Sequence, residues 1–133
     1  MTSKVTYLGE LRTTNKHIKS GNTYITDAPI DNHGKGEAFS PTDTVATGFA
    51  SCMLTVMGIK AAQMDVNLEG ATAEVAKVMS QELPRRISEI HVTLHLPKGI
   101  EEKAQKILTH TAHTCPVHYS LHPDIKKEIT FNW

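Results

Sequence analysis

The segment from Ser40 to Ile59 limits the possible folds of this chain more than any other. It opens on Ser40-Pro41-Thr42-Asp43. Ser is a favoured N-cap, Pro suits the first helical turn, and Ser-x-x-Asp approximates a capping box. Val45, Ala46, Phe49, Ala50, Cys52, Met53, Leu54, Val56, Met57 and Ile59 follow. They leave the helix apolar most of the way round, and such a helix must be covered on several sides. Val45, Phe49, Cys52, Val56 and Ile59 make one stripe by steps of four and three. That stripe predicts that Cys52 lies inside the packed face.

The rest of the chain has to supply the cover. At 133 residues it suffices for one domain, 1–133, with a real core. The first strand is expected from Lys4 to Arg12, weakened at Gly9. Thr13-Thr14-Asn15 and Ser20-Gly21-Asn22 carry turn chemistry, with short strands at His17 to Lys19 and Thr23 to Thr26. Together these predict a small antiparallel meander. Asp31 to Glu37 is polar and Gly-rich, so a mobile loop is expected. Beyond the helix, Val66 to Val78 has strand-like pieces, and Leu83-Pro84-Arg85-Arg86 is a turn. Ile90, Val92, Leu94 and Leu96 alternate with His91, Thr93 and His95 in the clearest strand of the chain. Ile100, Ala104, Ile107 and Leu108 mark an amphipathic helix. After a break at Thr114-Cys115-Pro116 come a short helix, Val117 to Leu121, and a last strand through Ile129, Phe131 and Trp133. The order predicts an α+β fold with an antiparallel sheet.

Composition removes several functions. Fourteen basic residues balance fourteen acidic ones, and aromatics are 5%. Neither an electrostatic footprint for nucleic acid nor a set of base-stacking platforms is present. No stretch approaches the roughly 18 to 20 apolar residues expected of a spanning helix, so no membrane role is expected. Met1 to Glu10 has no basic-then-apolar leader, which makes the cytoplasm the expected location. Two cysteines are too few for a disulfide framework.

Those cysteines carry the chemistry. Cys115 precedes Pro116 and so sits at a helix N-terminus, where unpaired N–H groups and the dipole favour a thiolate. Cys52, within an apolar helix, stays protonated unless a cation reaches it. Arg12 is the first candidate cation, since it ends the opening strand segment and is the only Arg outside the Arg85-Arg86 pair. A two-step peroxide reduction fits such a pair: one thiolate becomes a sulfenic acid, and the other thiol condenses with it to a disulfide. Phe49, Met53, Val56 and Met57 would form an apolar wall suited to hydroperoxides with organic tails. His110, His113, Cys115, His118 and His122 form a run that could hold zinc, but their spacing matches no zinc signature.

Ser40 to Cys52 (SPTDTVATGFASC) resembles the cysteine-bearing helix of the OsmC/Ohr family, and Cys115 to Leu121 (CPVHYSL) resembles its second signature. The element order is similar too. The resemblance implies an intertwined homodimer of α+β protomers with long central helices, and a thiol peroxidase acting on organic hydroperoxides or hydrogen peroxide. Cys52 would be peroxidatic and Cys115 resolving. An Arg from the N-terminal strands, here Arg12, would hold the first thiolate. A Glu directly after the helix-start Pro would orient that Arg. Thr42 occupies that position here, and Asp43 is the nearest carboxylate. The expected partners are a hydroperoxide, an external dithiol reductant and a second copy of the chain. No cofactor or metal is expected. Two rivals stand beside this reading: a small-molecule-binding protein of the same fold with spectator cysteines, and a metal protein built on the His run.

Overall fold

A computed structural model describes all residues, Met1–Trp133. The chain divides into two compact units, Met1–Val45 and Ala46–Trp133.

The first unit holds a three-stranded antiparallel sheet of β1 (Ser3–Gly9), β2 (Arg12–His17) and β3 (Thr23–Asp27), in that order. The meander is as expected, but its second strand is not at His17 to Lys19, and Thr13-Thr14-Asn15 is strand rather than turn. The turn falls earlier. Gly9 pairs with Arg12, so Glu10 and Leu11 form a two-residue loop, both at positive φ (50° and 63°). Matching the twist of a hairpin requires that conformation, and here ordinary residues adopt it without Asn-Gly chemistry. Once the turn is placed there, the β-branched Thr13 and Thr14 fall naturally into a strand.

Residues 31–37, expected to be a mobile loop, carry their own hydrogen bonds. A single 3-10 turn spans Ile30–Asn32. The N–H groups of Asn32 and Gly34 donate to Pro29 O, and that of Gly36 to Ala28 O. Gly34 lies so close to Ala28 that a Cβ would sit 1.7 Å from its carbonyl oxygen. Only Gly allows this fold-back.

Helix α1 (Pro41–Gln63) starts where the sequence placed it. Ser40 N–H donates to Asp43 Oδ2 (2.8 Å) and Asp43 N–H to Ser40 Oγ (3.0 Å), a reciprocal capping box. By length and composition α1 is apolar enough to cross a membrane, contrary to the expectation that no stretch would be. Its buried face identifies it as a core helix: Ala46, Phe49, Ala50, Met53, Met57 and Ala61. The expected stripe is rotated from this face. Val45 and Ile59 are exposed, and Cys52 and Val56 are only half-buried. Apolar residues nearly all round the helix gave the stripe no unique position.

In the second unit, β4 (Thr72–Met79) pairs antiparallel with β5 (Ile87–His95), and β5 pairs parallel with β6 (Lys126–Asn132). The sheet is therefore mixed, and the chain has two small sheets rather than one antiparallel one. Between β5 and β6 lie α2 (Glu102–Ala112) and α3 (Pro116–Ser120). A helical crossover of this length returns the chain to the same end of the sheet, which a hairpin cannot do. Phe49, Met53 and Met57 of α1 share one core with Ile90, Val92 and Leu94 of β5, Leu108 of α2, and Cys115.

Candidate functional site

Cys115 caps α3. Its Sγ accepts the N–H of His118 at 3.3 Å, with Pro116 in the first turn. Cys is not a favoured cap residue, so packing holds the thiol there: Cys115 is fully buried. Cys52, two turns into the packed half of α1, is the more accessible of the two. The burial expected of Cys52 belongs instead to Cys115.

Both are free thiols, and they are neighbours. Burial pushes the Cys115 thiol above its ordinary value. The His118 N–H works against that rise, and the adjoining Cys52 sulfur adds to it. The expected thiolate at the start of α3 is thus overturned. Desolvation outweighs the one N–H that a short helix aims at the sulfur. Cys115 is held as S–H beside Cys52.

Around the pair the second unit supplies an apolar wall. Phe49 and Met53 are fully buried, and Val56 is half-buried and packed on the core. The His118 ring stands 5.8 Å from that of Phe49 and 6.3 Å from that of His113. Its Nδ1 is buried without a hydrogen-bond partner. Burial, then the charges of Lys127 and His113, keep His118 below the usual histidine range, so it is neutral at pH 7. The His run does not gather: no three His, Cys, Asp or Glu side chains converge on a point that could hold a metal ion. His113 instead packs its ring against Phe131 at 5.7 Å.

In the first unit, Arg12 opens β2 directly across from Asp27. Its Nε and Nη2 donate to the two Asp27 carboxylate oxygens at 2.6 and 2.8 Å, and Nη2 also donates to Glu37 at 2.8 Å. Arg12 holds the Asp27 carboxyl below its ordinary value. Asp43 lies in the same unit, within the capping box of α1. Asp27 and Glu37 were not foreseen. Nothing marks them in the sequence until the register of β2 on β3 is known. His118 was marked in the sequence only as a member of the second cysteine motif and of the His run, not as a buried ring beside Phe49.

The OsmC-like protein family model matches residues 34–130. A Psychrobacter arcticus protein, provisionally named an osmotic stress induced and detoxification response protein, is 55% identical, with a TM-score of 0.95 over 99% of this chain and 96% of its own. The organic hydroperoxide resistance protein OsmC of Legionella pneumophila superposes at TM-score 0.74 and 18% identity, covering 100% of this chain and 98% of that one. For OhrB, the organic hydroperoxide resistance protein of Bacillus subtilis, the values are 0.72 and 15%, over 99% and 98%. At such identities the last two share the fold. No curated protein matches the chain. The family match takes in both cysteine-bearing helices, β4, β5 and most of β6, and the chain belongs to the OsmC-like protein family.

Proposed function

We propose that the protein is a cytoplasmic thiol-dependent peroxidase of oxidative-stress defence, acting on organic hydroperoxides or hydrogen peroxide. The neighbouring free thiols, one accessible and one buried and protonated, are the observation that carries this reading. The Cys52 thiolate attacks the terminal peroxide oxygen. The O–O bond breaks, an alcohol or water leaves with one proton, and Cys52 becomes a sulfenic acid. The Cys115 thiol then attacks that sulfur, water leaves, and a disulfide joins the two. An external dithiol reduces it by exchange and is itself oxidised. A buried S–H suits the second step. It does not compete for peroxide as a thiolate, and it waits next to the sulfur it must resolve.

Arg12 is the proposed cation for the Cys52 thiolate, with Asp43 assisting at the helix start. Phe49, Met53 and Val56 form the apolar wall that favours an organic tail. The working form is a homodimer. The relatives named for organic hydroperoxide resistance support the substrate class.

The test is peroxide consumption with a dithiol reductant, using cumene hydroperoxide and hydrogen peroxide. Wild type is expected to turn over, and Cys52→Ser to lose activity altogether. Cys115→Ser is expected to react once and then accumulate sulfinic and sulfonic Cys52 by mass spectrometry. If wild type consumes neither peroxide with any dithiol, the reading is wrong. Thiol counts unchanged by peroxide would then favour a small-molecule-binding protein with spectator cysteines.

A further inference from the structure

His118 is tied to the Cys115 sulfur and carries a polar atom that the fold leaves unused. Cys115 caps α3, and Pro116, Val117 and His118 form its first turn. In a capping box the residue at the place of His118 gives its N–H to the cap side chain and turns its own side chain back toward the cap residue. The first half of that exchange is present, with the His118 N–H on Cys115 Sγ at 3.3 Å. The second half is open. Nδ1 of the half-buried ring is enclosed and makes no hydrogen bond, a condition that is rare among buried polar groups and calls for a function. The ring packs on Phe49 at 5.8 Å, and Phe49 stands one turn before Cys52 on the same side of α1. Both sulfurs and the spare nitrogen belong to the second unit, Ala46–Trp133.

Joining the two sulfurs calls for such a nitrogen. The thiolate, not the thiol, attacks sulfur, and Cys115 is fully buried, so bulk water has no direct access to its proton. The His118 ring is faced by Phe49 from α1, by His113 from the end of α2, by Lys127 from β6, and by Tyr119 beside it on α3. Lys127 is held in place, its Nζ donating to Ile125 O at 3.0 Å. Neither charged neighbour is a carboxylate, and positive groups at this end disfavour a resting imidazolium. The ring therefore waits in its basic form.

We propose that His118 Nδ1 is the proton acceptor of the step that joins Cys115 to Cys52. This rests on the reading of Cys115 as the resolving thiol. Nδ1 takes the Cys115 proton as the Cys115 sulfur forms its bond to the Cys52 sulfur. The S–O bond of the sulfenic acid breaks, and the leaving hydroxide takes the proton from the imidazolium and departs as water. Cys115 is oxidised, the Cys52 sulfur is reduced, and His118 ends neutral as it began. The role requires the resting proton of the ring on Nε2, which leaves the Nδ1 lone pair free. The hydrogen bond from the thiol is made in the step itself, as catalytic hydrogen bonds commonly are.

The experiment is single-turnover exchange of the reduced full-length protein with one equivalent of dithiobis-nitrobenzoate, an aromatic disulfide that releases a coloured thiolate. Cys52 attacks it and releases the first thiolate. Cys115 then attacks the Cys52 mixed disulfide and releases the second, and mass spectrometry identifies the closed disulfide. No peroxide is needed, and the leaving thiolate takes no proton, so the second release reports proton removal from Cys115. In wild type its rate should be flat from about pH 7 to about pH 8.5, where ordinary thiols are still ionising, because the acceptor is already neutral. His118→Asn keeps the backbone cap and a polar atom near the place of Nδ1 without its basicity, and His118→Phe keeps the ring without a nitrogen. In both, the second release should be about a hundredfold slower at pH 7, the low end of what a positioned base supplies. It should then rise about tenfold per pH unit as the thiol ionises unaided. A wild-type second release that climbs with pH in this way overturns the assignment, as do variants that are slower but keep the flat profile, the mark of a merely structural role. No second release from wild type removes Cys115 as the resolving thiol and the proposal with it, while peroxide consumption still tests Cys52 by itself. The expected profiles in a protein that consumes no peroxide would uphold His118 and remove the peroxidase reading alone.

Discussion

Cys115 has its sulfur fully enclosed, and the cost of placing a charge there governs its behaviour. Its folded-state pKa is raised, first by burial and further by the Cys52 sulfur. The sign of the linkage follows. The folded protein holds that proton more tightly than the unfolded chain does, so the associated stability is complete below the unfolded thiol pKa of about 8.5. It is lost as pH rises through the higher folded value. Urea midpoints measured under reducing conditions should therefore fall from pH 8 to pH 10. In Cys115→Ala the fall should be smaller; an equal fall would mean that the thiol is not the group responsible. The sequence pointed to both cysteines and placed Cys115 at the start of α3, but it did not foresee that Cys115 is the more enclosed of the two. A motif gives the position of a sulfur along a helix, whereas burial depends on what the other elements place over it. Nor could spacing along the chain disclose the Arg12–Asp27 pair, which exists only through strand register.

Helix α1 carries a different lesson. Its start was legible because a cap is local chemistry: Ser40 and Asp43 satisfy each other's backbone groups within one turn. Its buried face was not, because periodicity locates a face only when the opposite side is polar. The observed face makes a prediction that separates it from the expected stripe. Met57 is fully buried and Ile59 is 58% exposed. Met57→Ala should destabilise the protein by about 2–5 kcal/mol, the usual cost of truncating a core side chain. Ile59→Ala should cost the single chain about 0.5 kcal/mol or less. Chemical denaturation of the two variants, kept dilute enough to be monomeric, checks this. Equal losses would restore the expected stripe. The bounds of β2 and the direction of β6, though not its existence, were missed for reasons of their own. The turn before β2 uses Glu10 and Leu11 at positive φ, which turn preferences do not anticipate. The direction of β6 depends on how far α2 and α3 carry the chain, and alternation along a strand says nothing about direction.

For the whole molecule the open matter is what covers the apolar surface that one chain leaves in water. In the second unit Ile59 is exposed on a helix with almost no polar side. In the first, Val5, Tyr7, Leu8, Tyr24 and Ile25 are all exposed on a three-stranded sheet. A monomer of this size does not normally carry so much large apolar side chain in the open, and exposed apolar surface of this extent marks an interface. A second copy is the simplest cover, because every chain brings the same unmet faces and a two-fold axis satisfies both at once. Native mass spectrometry at micromolar concentration should therefore give twice the 14.7 kDa chain mass. Ile59→Lys puts a charge on the α1 face at the cost of almost no core packing, and should shift the population toward monomer with α1 still folded by circular dichroism. If wild type is monomeric at that concentration, the homodimer is wrong. If wild type is dimeric and Ile59→Lys dimerises as well as it does, the interface lies elsewhere, and the face of the β1–β3 sheet that carries Val5, Tyr7 and Tyr24 becomes the surface to charge next.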